Sequence, residues 1–246
     1  MRYDRVWEIF RKDSEELRSN RWVFASLFLI PVIFALEATF LVIQAAAAAN
    51  TSPAPISTFL PRASVGLDLL LLIPSITAVT IGATSIVQEK TTRSLEPLLA
   101  TPITDSELLW GKALLPFVPG LIAVWACYLA VFIVGDILIY PIAGVIALPT
   151  TLALYEMFLA APLLGLLGTF AVLVVSSWAK DPRAAQQLTT VAVLPILIAV
   201  LIVFVVLPEN WELLAAFTAG VAIVDFTLFR FAVRRFDRPS ILVSWR

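Results

Sequence analysis

Apolar residues run along this chain in six long blocks separated by polar punctuation. The blocks cover residues 22–46, 66–87, 113–134, 151–177, 187–207 and 213–233, each close to or beyond the ~20 residues that carry a helix across a bilayer. Apolar residues fill them continuously instead of alternating, which argues against the strands of a membrane barrel. A backbone in lipid must satisfy its own hydrogen bonds, so helices are the expected form. The pattern predicts an all-α membrane protein with six transmembrane helices.

Residues 1–21 follow a different rule. Tyr3, Val6, Trp7, Phe10 and Leu17 recur at helical spacing, while Arg5, Glu8, Lys12, Glu15 and Glu16 take the other faces. This predicts an amphipathic helix lying in the membrane interface with its aromatics buried. Two roles stay open for it: an anchor ahead of the first span, or a contact with a partner. Residues 22–246 then make up the transmembrane domain.

The second polar stretch, "QEKTTRSLEPLLATPITDSELLWGK" over 88–112, is longer than a turn between helices needs. Ser94 can cap a helix, and Pro97 falls in its first turn, where the missing N–H costs little. Leu95, Leu98 and Leu99 then share one face, and Thr101-Pro102 disfavours continuation. Thr104-Asp105-Ser106-Glu107 is a capping-box pattern that opens the next helix. The segment therefore predicts a helical stub with a leucine stripe. Burying each leucine is worth about 1.5–3 kcal/mol, so the stripe needs a cover. Lipid, neighbouring spans or a groove on another protein would serve, the last with Glu89, Lys90, Arg93 and Glu96 at the rim.

The remaining connections are unequal. Residues 47–65 form a Pro- and Ser-containing loop, and "PENW" is a very short turn. Residues 135–150 are apolar but broken by Pro141, Gly144 and Pro149, which leaves open a dip into the outer leaflet. "QAAAAANTS" resembles a signal cleavage site, yet the apolar run before it, about 24 residues, exceeds a signal core of 7–15, and the first block reads as an uncleaved span.

Charge orients the bundle. With six spans, every one of the 17 basic residues except Arg62 falls on one side: the N-terminal segment, the 88–112 loop, the turn with Lys180 and Arg183, and the C-terminal end. The positive-inside rule places both termini and that loop in the cytoplasm of a cell membrane protein. Composition agrees, since 60% of the 246 residues are hydrophobic and 14% charged, against about 45–50% and 25% in soluble domains. Histidine is absent and Cys127 is the single cysteine. Internal disulfides, thiolate or imidazole metal sites and Ser-His nucleophiles are thereby excluded, and an intramembrane hydrolase is a poor reading. No nucleic-acid partner is expected.

Four acids fall within the blocks. Asp68 and Glu156 stand near outer ends, where they are expected to reach headgroup water. Glu37 and Asp225 lie deeper, where a charge costs about 2.5–3.5 kcal/mol on insertion scales. They must face protein or water or carry a proton, and both a structural role and a substrate or ion role remain open.

The 88–112 segment resembles the cytoplasmic loop of the type-2 family of ABC-transporter permeases. The likeness rests on Glu89, Leu95-Glu96-Pro97-Leu98-Leu99, Thr101-Pro102, Glu107-Leu108-Leu109 and Gly111-Lys112. "LLGLLGTFAVLVVSSWAKDPRAAQQL" resembles the end of the family's fourth span and the opening of its fifth, and Pro195 suits that fifth span. Arg93, where glycine is common, and Pro97 depart from the pattern. The resemblance implies a type V ABC exporter-like fold, with the stub as a coupling helix seated on a nucleotide-binding subunit. That contact would involve Glu89, Lys90, Arg93, Leu95, Glu96, Leu98, Leu99, Thr101 and Pro102. It makes the N-terminal helix a connecting helix that also touches the ATPase. It implies a second permease protomer, same-chain or a close relative, and ATP with magnesium held by the separate P-loop ATPase. It also points to Ser75, Thr77, Thr80 and Thr84 on the second span, with Thr189 and Thr190 on the fifth, as route-lining hydroxyls. Such small hydroxyls equally serve helix packing. The function expected is a permease subunit exporting a substrate. The alternative is a self-contained secondary transporter or channel using Glu37 and Asp225.

Overall fold

The computed structural model describes residues 3–19, 21–51, 58–91, 105–144, 148–179, 181–207 and 210–235, and these are helical almost throughout. In chain order they form α1 (Tyr3–Ser19), α2 (Arg21–Thr51), α3 (Leu60–Leu70), α4 (Leu72–Thr91), α5 (Asp105–Ala143), α6 (Thr151–Tyr155), α7 (Ala161–Ser176), α8 (Pro182–Val200) and α9 (Trp211–Arg235). Two π-helical segments interrupt this order: Glu156–Ala160 joins α6 to α7, and Leu201–Val206 ends α8. Six helical stretches are long and apolar enough to cross a membrane, as the blocks predict.

Prolines shape the spans from within. Pro74 lacks the N–H that would bond the Leu70 carbonyl, and the second span breaks at Leu71, whose own N–H bonds the Asp68 carbonyl at 3.2 Å. Pro162 follows the π-helical segment in which the Ala161 N–H reaches the Glu156 carbonyl, five residues back. Residues 135–143 do not dip separately into the outer leaflet: they continue α5 through Pro141. That helix stops where Gly144 takes a φ of +67°, a left-handed cap that other residues adopt poorly, and its N–H bonds the Tyr140 carbonyl at 2.8 Å. The fifth span opens at Pro182, ahead of the expected start at 187. Asp181 Oδ2 accepts the Ala184 N–H at 3.1 Å, and Pro182 occupies the first turn.

α4 and α7 form the centre of the bundle. At Gly168 an added Cβ would lie 2.8 Å from the Ser75 carbonyl oxygen, so the two backbones come close there. α2, α8 and α9 lie outside and expose apolar side chains such as Leu29, Ile33 and Phe40, Leu194 and Ile198, and Ile223 and Phe226. These faces suit a hydrocarbon surround, with no water-facing counterpart in a soluble core.

Buried clusters establish which ends lie together. Ile9, Leu108, Leu109, Ala113, Phe170, Leu173, Val174 and Ala232 pack as one group, so α1, the start of α5 and the ends of α7 and α9 share one end of the molecule. At the other end, Ala45 and Ala46 of α2 belong to the main core together with Ala63, Ile139, Leu148, Ala153, Phe204 and Leu214.

Candidate functional site

The segment suggested by sequence is flanked by two helical stems. α4 runs to Thr91 and α5 begins at Asp105, the position expected from the capping-box pattern. Glu89 and Lys90 fall in the last turn of α4, where the backbone is helical. Arg93, Leu95, Glu96, Leu98, Leu99, Thr101 and Pro102 lie outside the described residues.

Across the two stems lies α1, and its buried face is not the aromatic one. Val6, Ile9 and Asp13 are buried, Phe10 and Leu17 half-buried, and Trp7 is 62% exposed. Ile9 presses on Gly111, where an added Cβ would stand 2.8 Å from the Ile9 Cγ2 atom. Phe10 and Leu17 pack against a cluster made of Val23 of α2, Ile81 of α4 and Leu115 of α5. Between these contacts the Lys112 Nζ donates to Asp13 Oδ2 at 2.8 Å, with both side chains within 2% of full burial. Glu107, one helical turn before Gly111, is also buried. The face that α1 turns to protein is thus an aliphatic and ionic seam, while the exposed Trp7 remains available to the membrane interface. An acid in step with Val6 and Ile9 was the available signal, but its partner is 99 positions away.

The six candidate hydroxyls do not share one surface. Ser75 is fully buried and donates to the Leu164 carbonyl, tying α4 to α7. Thr77 is buried against Gly120 of α5 and bonds the Ile73 carbonyl at 2.8 Å. Thr189 is buried and bonds the Ala185 carbonyl at 2.7 Å, whereas Thr190 is exposed and bonds the Gln186 carbonyl at 2.8 Å. Thr80 and Thr84 are half-buried, and Gln186 Nε2 donates across to Thr80 Oγ1 at 3.4 Å. Gln186, on the first turns of α8, makes this polar contact from the fifth span beside Ala185, which packs in one cluster with Ala83 and Val87 of α4; sequence spacing did not single it out.

The acids separate as well. Glu37 is exposed on α2 among Ile33, Leu36 and Phe40. Asp225 is 5% exposed on the inner face of α9, and neither carboxylate oxygen has a hydrogen-bond partner among the described residues. Asp68 and Glu156 do not reach headgroup water as expected; they are 2% and 0% exposed. The Tyr128 hydroxyl lies 3.1 Å from both Glu156 Oε2 and the Leu67 carbonyl, which brings Glu156 and the end of α3 to one phenol. Asp68 borders a cavity of about 780 Å³ shared by α3, α6 and the start of α9, with Ser64, Thr150, Thr151 and Trp211 on its wall.

Six spans, a loop whose stems are bridged by an N-terminal helix, and no clustered metal ligands among the described residues form the frame for comparison. The family model for ABC-2 family transporter proteins matches residues 7–223, nearly the whole helical part. The chain belongs to the ABC-2 transporter family. No curated protein matches it. As an ABC-2 family member it is a multi-pass membrane protein and the permease type of subunit, a transport component and not itself an enzyme. The match begins inside α1, so that helix belongs to the ABC-2 unit and is no appendage to it.

Proposed function

We propose that this ABC-2 permease exports a substrate using ATP hydrolysed by a separate P-loop subunit, which holds the ATP and magnesium. Two permease protomers, identical or closely related, would stand beside two such ATPases in a type V arrangement. The family match over residues 7–223 is the observation that carries this reading. Charge placement supports the orientation: α1, the 88–112 loop and both termini on the cytoplasmic side. There the leucine stripe of Leu95, Leu98 and Leu99 would enter the ATPase cleft, with Glu89, Lys90, Arg93 and Glu96 around it and Thr101-Pro102 ending the stub.

This chain does not supply a P-loop of its own. Gly111-Lys112 would need a glycine five residues earlier and Ser or Thr next, and Ser106 and Ala113 stand there. Gly111 and Lys112 are instead used against α1. For the route we favour Thr80, Thr84 and Thr190 with Gln186, because Ser75, Thr77 and Thr189 are buried in packing contacts.

Leu98→Asp tests the coupling contact. Affinity-purified wild type in mild detergent is expected to bring down an ATPase, and the variant to reach the membrane in equal amount without it. Wild type that never retains an ATPase would refute the reading. For substrate class, stimulation of ATP hydrolysis by a compound panel in the purified complex is the direct screen.

A further inference from the structure

The seat of α1 has a geometry that an interfacial anchor does not require. One short helix meets both stems: Phe10 and Leu17 pack against the cluster of Val23 of α2, Ile81 of α4 and Leu115 of α5, while Ile9 and Asp13 engage Gly111 and Lys112 on α5. The α5 half of this contact is closely fitted. A side chain at Gly111 would collide with Ile9, and the ion pair beside it is shut away from water. A lysine at this end of a membrane helix ordinarily extends its ammonium to the surface. Lys112 instead turns inward, to an acid on a different helix.

From this seam we infer that α1 is a tie bar, with Asp13 and Lys112 as positioning residues that lock it to the foot of α5. The inference rests on the permease reading above, since it concerns how force entering through residues 92–104 is distributed. A loop fixed only at its ends can be displaced by bending its stems apart. With α1 pinned across both, the stems and α1 move together, and displacement of the loop becomes displacement of the second and third spans. Ile9 carries the tie further, because its cluster includes Phe170 and Leu173 of α7 and Ala232 of α9. A buried pair suits a hinge-free joint: shielded from solvent and salt, it holds one geometry.

The test uses the full-length permease in lipid nanodiscs, in a Cys127→Ala background, with spin labels at Glu15 on α1 and Ile122 on α5, both exposed. A narrow distance distribution is expected for the wild-type pair. With the ATPase bound, it should be unchanged between the nucleotide-free complex and the complex with a non-hydrolysable ATP analogue. Asp13→Asn and Lys112→Met are each expected to broaden the distribution and to lower ATP hydrolysis by the complex about tenfold, within the usual range of inter-site coupling. Protein yield and ATPase content should stay the same. The exchanged pair, D13K with K112D, is expected to restore both readouts substantially. If the single variants do not reach the membrane, D13L with K112L takes their place: apolar contact then holds α1, and a narrow distribution with near-wild-type hydrolysis is expected. Single variants with wild-type distance and hydrolysis would overturn the proposal. So would an exchanged pair no better than either single, or D13L with K112L that keeps the narrow distance but loses hydrolysis. Because the distance is also read on the permease alone, loss of the tie is distinguishable from absence of an ATPase partner.

Discussion

Halfway along the last span, Asp225 occupies the same inner stripe of α9 as Val221 and Ala232, closed off from solvent. Both of its carboxylate oxygens lack partners among the described residues. A polar group in that position is charged with the full cost of its desolvation, on the order of 1–3 kcal/mol or more. Asp225→Leu is therefore expected to insert normally and to raise the thermal midpoint of the purified protein by a few degrees. A lowered midpoint would mean that the assembled protein gives this acid a partner worth keeping, and transport would then be the next thing to measure. The expectation from sequence that Asp225 faces protein, faces water or carries a proton agrees with its burial on α9. The same logic failed for Asp68 and Glu156, because position along a span does not reveal rotation about it. Glu156 opens a π-helical turn, which rotates residues after it away from a simple α-helical register, and both acids end inside the bundle beside Tyr128. Lys112 was visible as one of a cytoplasmic set of bases; its partner Asp13 was not, since no local pattern joins positions so far apart.

Helices were legible where apolar length decides them, and less so where proline does. All six spans were expected, yet the break at Leu71, the π-helical turn before Pro162 and the persistence of α5 through Pro141 depend on how neighbouring helices absorb a lost hydrogen bond. Packing between α4 and α7 was equally hidden, although the glycines that allow it were in view. At Gly168 any Cβ would meet the Ser75 backbone at 2.8–2.9 Å, and backbone in a central helix cannot easily yield. Gly168→Val should separate the helices and weaken the Ser75 bond to the Leu164 carbonyl, costing about 1–3 kcal/mol as overpacking typically does. Gly220 on α9 provides the contrast, with nothing within 4 Å of an added Cβ. Gly220→Ala is expected to be neutral or slightly stabilising, given the higher helix propensity of alanine. Thermal unfolding in one detergent compares the two; equal destabilisation would show that the α4–α7 crossing is not the rigid centre of the fold.

At the scale of the whole molecule, function depends on which face of the membrane receives the 88–112 loop. The shared packing of α1, the foot of α5 and the ends of α7 and α9 puts the basic residues of these helices at one end, whereas Arg62 belongs to α3 at the other. Such asymmetry favours insertion with the basic end in the cytoplasm, where ATP is available to a partner. Two exposed positions at opposite ends report on this: Asn210, just before α9, and Arg183, in the first turn of α8. In a Cys127→Ala background, Asn210→Cys should react with a membrane-impermeant maleimide added to intact cells, and Arg183→Cys only after permeabilisation. The native thiol is buried, so its removal should alter little. The opposite labelling pattern would turn the bundle over, and with it the leucine stripe and the α1 seam. No cytoplasmic ATPase could then reach either, and the permease would need an energy source on its own side of the membrane. Labelling thus bears on the coupling model without any knowledge of the substrate, because the proposed ATP-driven export would require the loop and the engine to share a compartment.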